Sequence, residues 1–92
     1  MMKTWRERVA EAKARGYFSP GDYAAWQNIR TCPAAEAVQN LCSFEQVIPN
    51  TWESVWMIGD QIGQPIGLNN FPEVERLLDL VEDEALRIKR SL

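Results

Sequence analysis

The stretch from Asn70 to Leu92 limits the fold more than any other, because it reads as one long amphipathic helix. Val74, Leu77, Leu78, Val81, Ala85 and Ile88 recur at three- and four-residue spacings and so share one face of a 3.6-residue period. Glu75, Arg76, Asp79, Glu82, Asp83, Arg87 and Arg90 occupy the other side. Asn70 suits the N-cap, Glu73 completes a capping-box pattern, and Pro72 falls in the first turn, where a missing N–H costs nothing. Glu73 and Glu75 lie at the positive end of the helix dipole, Lys89 and Arg90 at the negative end.

The remainder of the chain reads as shorter helices. Residues 3–15 place Trp5, Val9, Ala12 and Gly16 on one face, and Gly16 supplies a left-handed C-cap. Ser19-Pro20-Gly21-Asp22 is a helix start: Ser19 caps, Pro20 takes the first turn, and Asp22 reaches back to the cap N–H. Phe18 and Tyr23 stand at the positions of a hydrophobic staple. The helix over 20–30 turns Ala25, Trp26 and Ile29 inward, and Pro33 breaks it.

A third helix spans 33–42, with Ala34, Val38, Leu41 and Cys42 inward. Asn50 and Glu53 repeat the capping pattern and open a fourth over 51–62. Trp52, Val55, Trp56, Gly59 and Ile62 line its inner face, and Gly59 and Gly63 thin it for a crossing helix. Gly63 to Asn70 is dense in turn formers and reads as a loop before the last helix at 71–90. The expected architecture is all-α: residues 1–92 form one single-domain bundle of about five helices with a long C-terminal helix. Trp5, Trp26, Trp52, Trp56, Phe18, Phe44, Phe71, Tyr17 and Tyr23 supply large apolar area for a core this small.

The chain contains no histidine, which removes the commonest general base, the Ser–His and Cys–His pairs, and the commonest metal ligand. Cys32 and Cys42 do not have a C-x-x-C spacing and fall short of a structural zinc site; they are expected as reduced thiols. No glycine pattern resembles a phosphate loop or a dinucleotide fingerprint. Gly59, Gly63 and Gly67 are explained by a helix end and a turn-rich loop. Asp79, Glu82 and Asp83 cluster on the charged face of the last helix, where Asp83 pairs with Arg87 and no apolar pocket raises a carboxyl pKa. The sequence therefore predicts no enzyme, no cofactor, no metal and no catalytic residue. No apolar run reaches the ~20 residues of a membrane span. Charges at Lys3, Arg6, Glu7, Arg8 and Glu11 interrupt any signal-peptide core, so the expected location is cytoplasmic.

Charge is distributed unevenly. Residues 1–30 carry a net +3, whereas no Lys or Arg occurs from Thr31 to Glu75 against six acids; the whole chain sums to −3. An acidic stretch of this kind is either a solvated surface or a face that pairs with a basic partner. Met57 and Ile58 fall off the inner face of the fourth helix, and Leu80 and Leu86 off the stripe of the last. Either a wider core or, together with aromatic neighbours, a partner-binding patch explains them. The expected partner-binding residues are Trp52, Glu53, Trp56, Met57, Asp60 and Leu80, with residues 63–70. Trp56 is expected in the core, and Trp52, at the helix start, is expected to be the more exposed. The partner is another protein, with a homodimer as a further option.

A competing reading is nucleic-acid binding through the basic N-terminal helix. Its positive charge is split, however: Arg6 and Lys13 lie on one flank and Arg8 and Arg15 on the other, with Glu7 and Glu11 between. A third reading, a carboxylate-based enzyme, requires an elevated carboxyl pKa.

Trp5, Arg8, the alanines before Gly16, Phe18, Asp22, Thr31-Cys32 and Glu36, with Arg76-Leu77-Leu78 through Leu86 to Lys89, give the chain a further likeness. It resembles short, functionally uncharacterised helical proteins of bacterial and phage genomes. The resemblance implies a small bacterial or mobile-element accessory protein and brings no activity, cofactor or catalytic residue. Small acidic helical proteins of phages often block a host machine, as anti-CRISPR and polymerase-binding types do. The sequence thus predicts a small helical protein-interaction module, an adaptor or stoichiometric inhibitor.

Overall fold

The computed structural model describes residues 4–33, 36–38, 41 and 52–91. All regular structure among the described residues is helical. Five α-helices can be bounded there: α1 (Trp5–Arg15), α2 (Pro20–Arg30), α3 (Glu53–Gly59), α4 (Gly63–Gly67) and α5 (Phe71–Arg90), with a 3-10 turn at Asp60–Ile62. Residues 36–38 and Leu41, within the span 33–42 expected as a third helix, are also helical, and the Ala37 N–H donates to the Pro33 carbonyl. Phe44, Cys42, the Asn50 cap and the inward placement of Ala34 lie outside the described residues. No helix among the described residues is long and apolar enough to cross a membrane.

Each long helix is bounded by the signals its sequence carries. Thr4 caps α1 through its Oγ1, which accepts the Glu7 N–H, and Gly16 closes it at φ +96°. Ser19 and Asp22 form a complete capping box at the start of α2. Asn70 caps α5, its side chain accepting the Glu73 N–H. Glu73 does not close that box: its carboxylate pairs with Arg76, while the Asn70 N–H donates to Pro65 O at 2.8 Å. Arg87 likewise pairs with Glu84, three residues away, and not with the expected Asp83.

All six apolar residues of the α5 stripe are buried, and α3 packs along this helix more extensively than any other bounded element does. An aromatic column completes the core. The Trp26 ring meets Trp5 edge-on at 6.2 Å and Trp56 at 6.0 Å, so one side chain of α2 links α1 to α3. Phe18 packs on Phe71 at 4.9 Å. Tyr17 and Tyr23 do not join the core; they are 51% and 42% exposed.

Residues 63–67 are helical, contrary to the loop expected there. Gly, Gln and Pro have little reason to form a helix alone, but packing overrides propensity. A Cβ on Gly63 would come within 2.5 Å of Trp26 Nε1, and one on Gly67 within 3.0 Å of the Tyr23 hydroxyl. On Gly59 it would meet Leu41 at 2.5 Å. The four-residue spacing of these glycines therefore marks one side of a nearly continuous helical run lying close against its neighbours. Asn69, at φ +54°, ends the run: its N–H donates to Ile66 O and that of Asn70 to Pro65 O, a Schellman closure.

Candidate functional site

The Schellman corner at Asn69 folds α4 back against the start of α5, and its position is fixed from a second side. Asn69 Oδ1 accepts the Phe18 backbone N–H at 2.8 Å, tying the corner to the α1–α2 connection. Between the arms lies an open groove of about 390 Å³, lined by Asp60, Gln61, Gln64, Pro65, Leu68, Asn70, Glu73 and Leu77. Pro65 and Leu77 are buried, whereas Leu68 is 70% exposed. Leu80 continues the line of Glu73 and Leu77 along α5 and is 40% exposed.

The groove is acidic in composition. Asp60 Oδ1 lies 3.4 Å from Arg30 Nε, both side chains about half exposed. Two hydrogen bonds from Arg76 hold the Glu73 carboxyl below its usual range, one of them at 2.9 Å from Nε. Gln61, Gln64 and Asn70 add amide donors and acceptors. Among the described residues there is no group of three or more His, Cys, Asp or Glu arranged to hold a metal ion. The carboxyl pKa displacements that are resolved, at Asp22, Glu73 and Glu84, are all downward, opposite to what a general acid needs.

The expected partner-binding residues separate into two sets. Glu53, Met57, Asp60 and Leu80 are at the surface, Met57 being 65% exposed. The two tryptophans are in the reverse order to that expected: Trp52 is 4% exposed and belongs to the core, whereas Trp56 is half-buried against Trp26. A lone position at a helix start has no period to show which way its ring turns, and here it turns inward. Met57 and Ile58 also part company, Met57 facing out and Ile58 packing against the core. Leu68, Gln61, Gln64 and Glu73 complete the site. The sequence offers Leu68 one signal: it is the only large apolar residue besides Ile66 in the turn-rich stretch 63–70.

The basic side chains of α1 are turned to neighbouring helices. Arg6 bonds Glu82 at 3.0 Å through Nε and also pairs with Asp79, and these partners push its pKa up. Lys13 meets Glu75 at 3.0 Å. On the other flank Arg8 and Arg15 reach the same carboxylate, Asp22, at 3.2 and 2.8 Å. Asp22 is 4% exposed, a burial that its role as a capping residue does not announce.

The fold and site define a small all-α bundle with an acidic groove beside exposed leucine and methionine side chains. Comparison with protein-family models, curated proteins and solved structures found no match to this chain.

Proposed function

We propose that this protein is a cytoplasmic protein-interaction module, an adaptor or stoichiometric inhibitor, whose partner docks on the face carrying Met57, Asp60, Leu68 and Leu80. The observation that carries this reading is the exposure of Met57 and Leu68, at 65% and 70%, Leu68 lining a groove whose charged side chains are the carboxylates of Asp60 and Glu73, each in an exposed pair with an arginine. Large flexible apolar side chains held in water contribute binding energy when covered, and an acidic rim steers a basic partner. Trp52 is in the core and Trp56 half-buried, so of the two only Trp56 keeps surface for a partner. The partner in this reading is a different protein, with a second copy of this chain as the alternative. The likeness to bacterial and phage accessory proteins fits a binding role of this kind, including inhibition of a host machine.

The test is capture from the native host with tagged protein, comparing the wild type with a variant carrying charge reversals at Glu53 and Asp60 and Met57→Ala. The expected result is loss of the captured partner with an unchanged circular-dichroism spectrum. A folded variant that recovers the partner as well as the wild type does overturns the assignment to this face.

A further inference from the structure

We propose that the groove between residues 60–68 and the first turns of α5 binds a short extended peptide segment carrying an apolar side chain flanked by arginine or lysine. This rests on the interaction reading above and names the chemistry of the partner. The apolar position follows from the lining: Pro65 and Leu77 form the buried floor, and Leu68 stands free at the lip, able to close over a side chain placed between them. The flanking cations follow from Asp60 in the 3-10 turn and Glu73 in the first turn of α5, which bring a carboxylate to each wall.

Both carboxylates already have an arginine, Arg30 and Arg76, but these are exposed pairs that contribute little and can be exchanged or shared. The extended conformation follows from Gln61, Gln64 and Asn70, each able to meet backbone N–H or C=O groups; Asn70 spends its oxygen on the Glu73 N–H and keeps its amide donors. A groove of about 390 Å³ is at the small end of binding pockets and suits a few side chains, not a folded element.

The full chain, labelled with ¹⁵N and with ¹³C at leucine methyls, is titrated with a short peptide of alternating arginine and leucine. Peptides of arginine with glycine and of glutamate with leucine serve as controls. Saturable shifts confined to Gln61, Gln64, Leu68 and Asn70 are expected. The arginine–glycine peptide should bind about tenfold more weakly and the glutamate–leucine peptide not at all. Leu68→Ser, at a surface position that leaves the fold intact, should weaken the arginine–leucine peptide about tenfold. Asp60→Asn should weaken it and flatten its salt dependence.

Shifts spread over other surfaces, equal binding of the two arginine peptides, no effect of Leu68→Ser, or no saturation at millimolar peptide each overturn the proposal. Failure of the wider reading is separately visible. Partner capture lost with Met57→Ala but untouched by Leu68→Ser removes the groove and keeps the interaction face. Capture indifferent to every variant of that face removes the interaction reading itself.

Discussion

Asp22 shows how much one side chain carries. Its carboxylate accepts hydrogen bonds from the Ser19 N–H at 3.0 Å and Ser19 Oγ at 3.1 Å, and from Arg8 and Arg15. It therefore caps α2 and clasps α1 to it at once. Burial pushes its pKa up, but the Ser19 hydrogen bonds, then Arg8 and the charge of Arg15, more than offset this and leave the group below its ordinary 3.8. A carboxyl depressed by folding contributes stability that is fully present above the unfolded pKa and lost as pH falls through the folded one. Asp22→Asn keeps the shape but strands two partly buried guanidinium groups, so urea unfolding at neutral pH should show a loss of about 2–3 kcal/mol. That gap should narrow as pH falls from the unfolded carboxyl's range, about 4, through the lower folded pKa, where the wild-type carboxyl itself becomes protonated. A gap that stays constant into acid would assign the effect to shape and not to charge. The capping role of Asp22 is legible in Ser19-Pro20-Gly21-Asp22; the clasp is not. Arg8 and Arg15 are two turns apart on one flank, and that spacing fits a solvated face as well as convergence on a single buried acid.

At the scale of elements, α5 was the most legible part of the chain because twenty residues of consistent period leave one solution. Leu78 is fully buried on it, and Leu78→Ala should destabilise by roughly 2–5 kcal/mol in chemical denaturation, as a core cavity does. An unchanged midpoint would show that the stripe is not the core. Element α4 is illegible for the opposite reason: five residues rich in glycine with one proline have no period, and the segment is helical where Pro65 and Ile66 are buried and its glycines lie close against Trp26 and Tyr23. Gly63→Ala separates these contributions. Alanine favours an isolated helix by about 1 kcal/mol over glycine. Here, however, its methyl would enter the Trp26 indole, which also packs against Trp5 and Trp56. Overpacking of this kind costs about 1–3 kcal/mol. The expected outcome is a lower melting temperature despite better propensity, whereas a rise would mean that the aromatic column yields easily. The groove was half legible by the same logic. Residues 63–70 stand out in the sequence by their turn formers, but the corner that pairs them with Glu73 and Leu77 depends on Asn69 adopting a positive φ.

Over the whole molecule, the sequence separates a basic first third from an acidic middle, and the fold brings the charges of α1 to acids elsewhere. Arg6 and Lys13 join α1 to the acids of α5, Arg8 and Arg15 join it to Asp22, and Arg30 joins α2 to Asp60. A helix that tracks phosphates needs its cations concentrated and free, since binding energy comes from releasing the counterions they displace. The α1 arginines meet neither condition: they point along two flanks, and each has a carboxylate already within 3.2 Å. Engaging DNA would require giving up these pairs, at Asp22 a buried one, while bringing a chain of net charge −3 toward a polyanion. We therefore expect no measurable affinity for generic duplex DNA below about 100 µM even at 50 mM salt, where non-specific binders are at their strongest. Fluorescence anisotropy with a labelled duplex at 50 and 200 mM salt measures this directly. Micromolar binding that weakens steeply between those concentrations would restore the nucleic-acid reading and require α1 to release at least one of its partners. Flat, unsaturated curves at both salts would remove the nucleic-acid reading, since α1 would then keep its carboxylate partners in the presence of a polyanion.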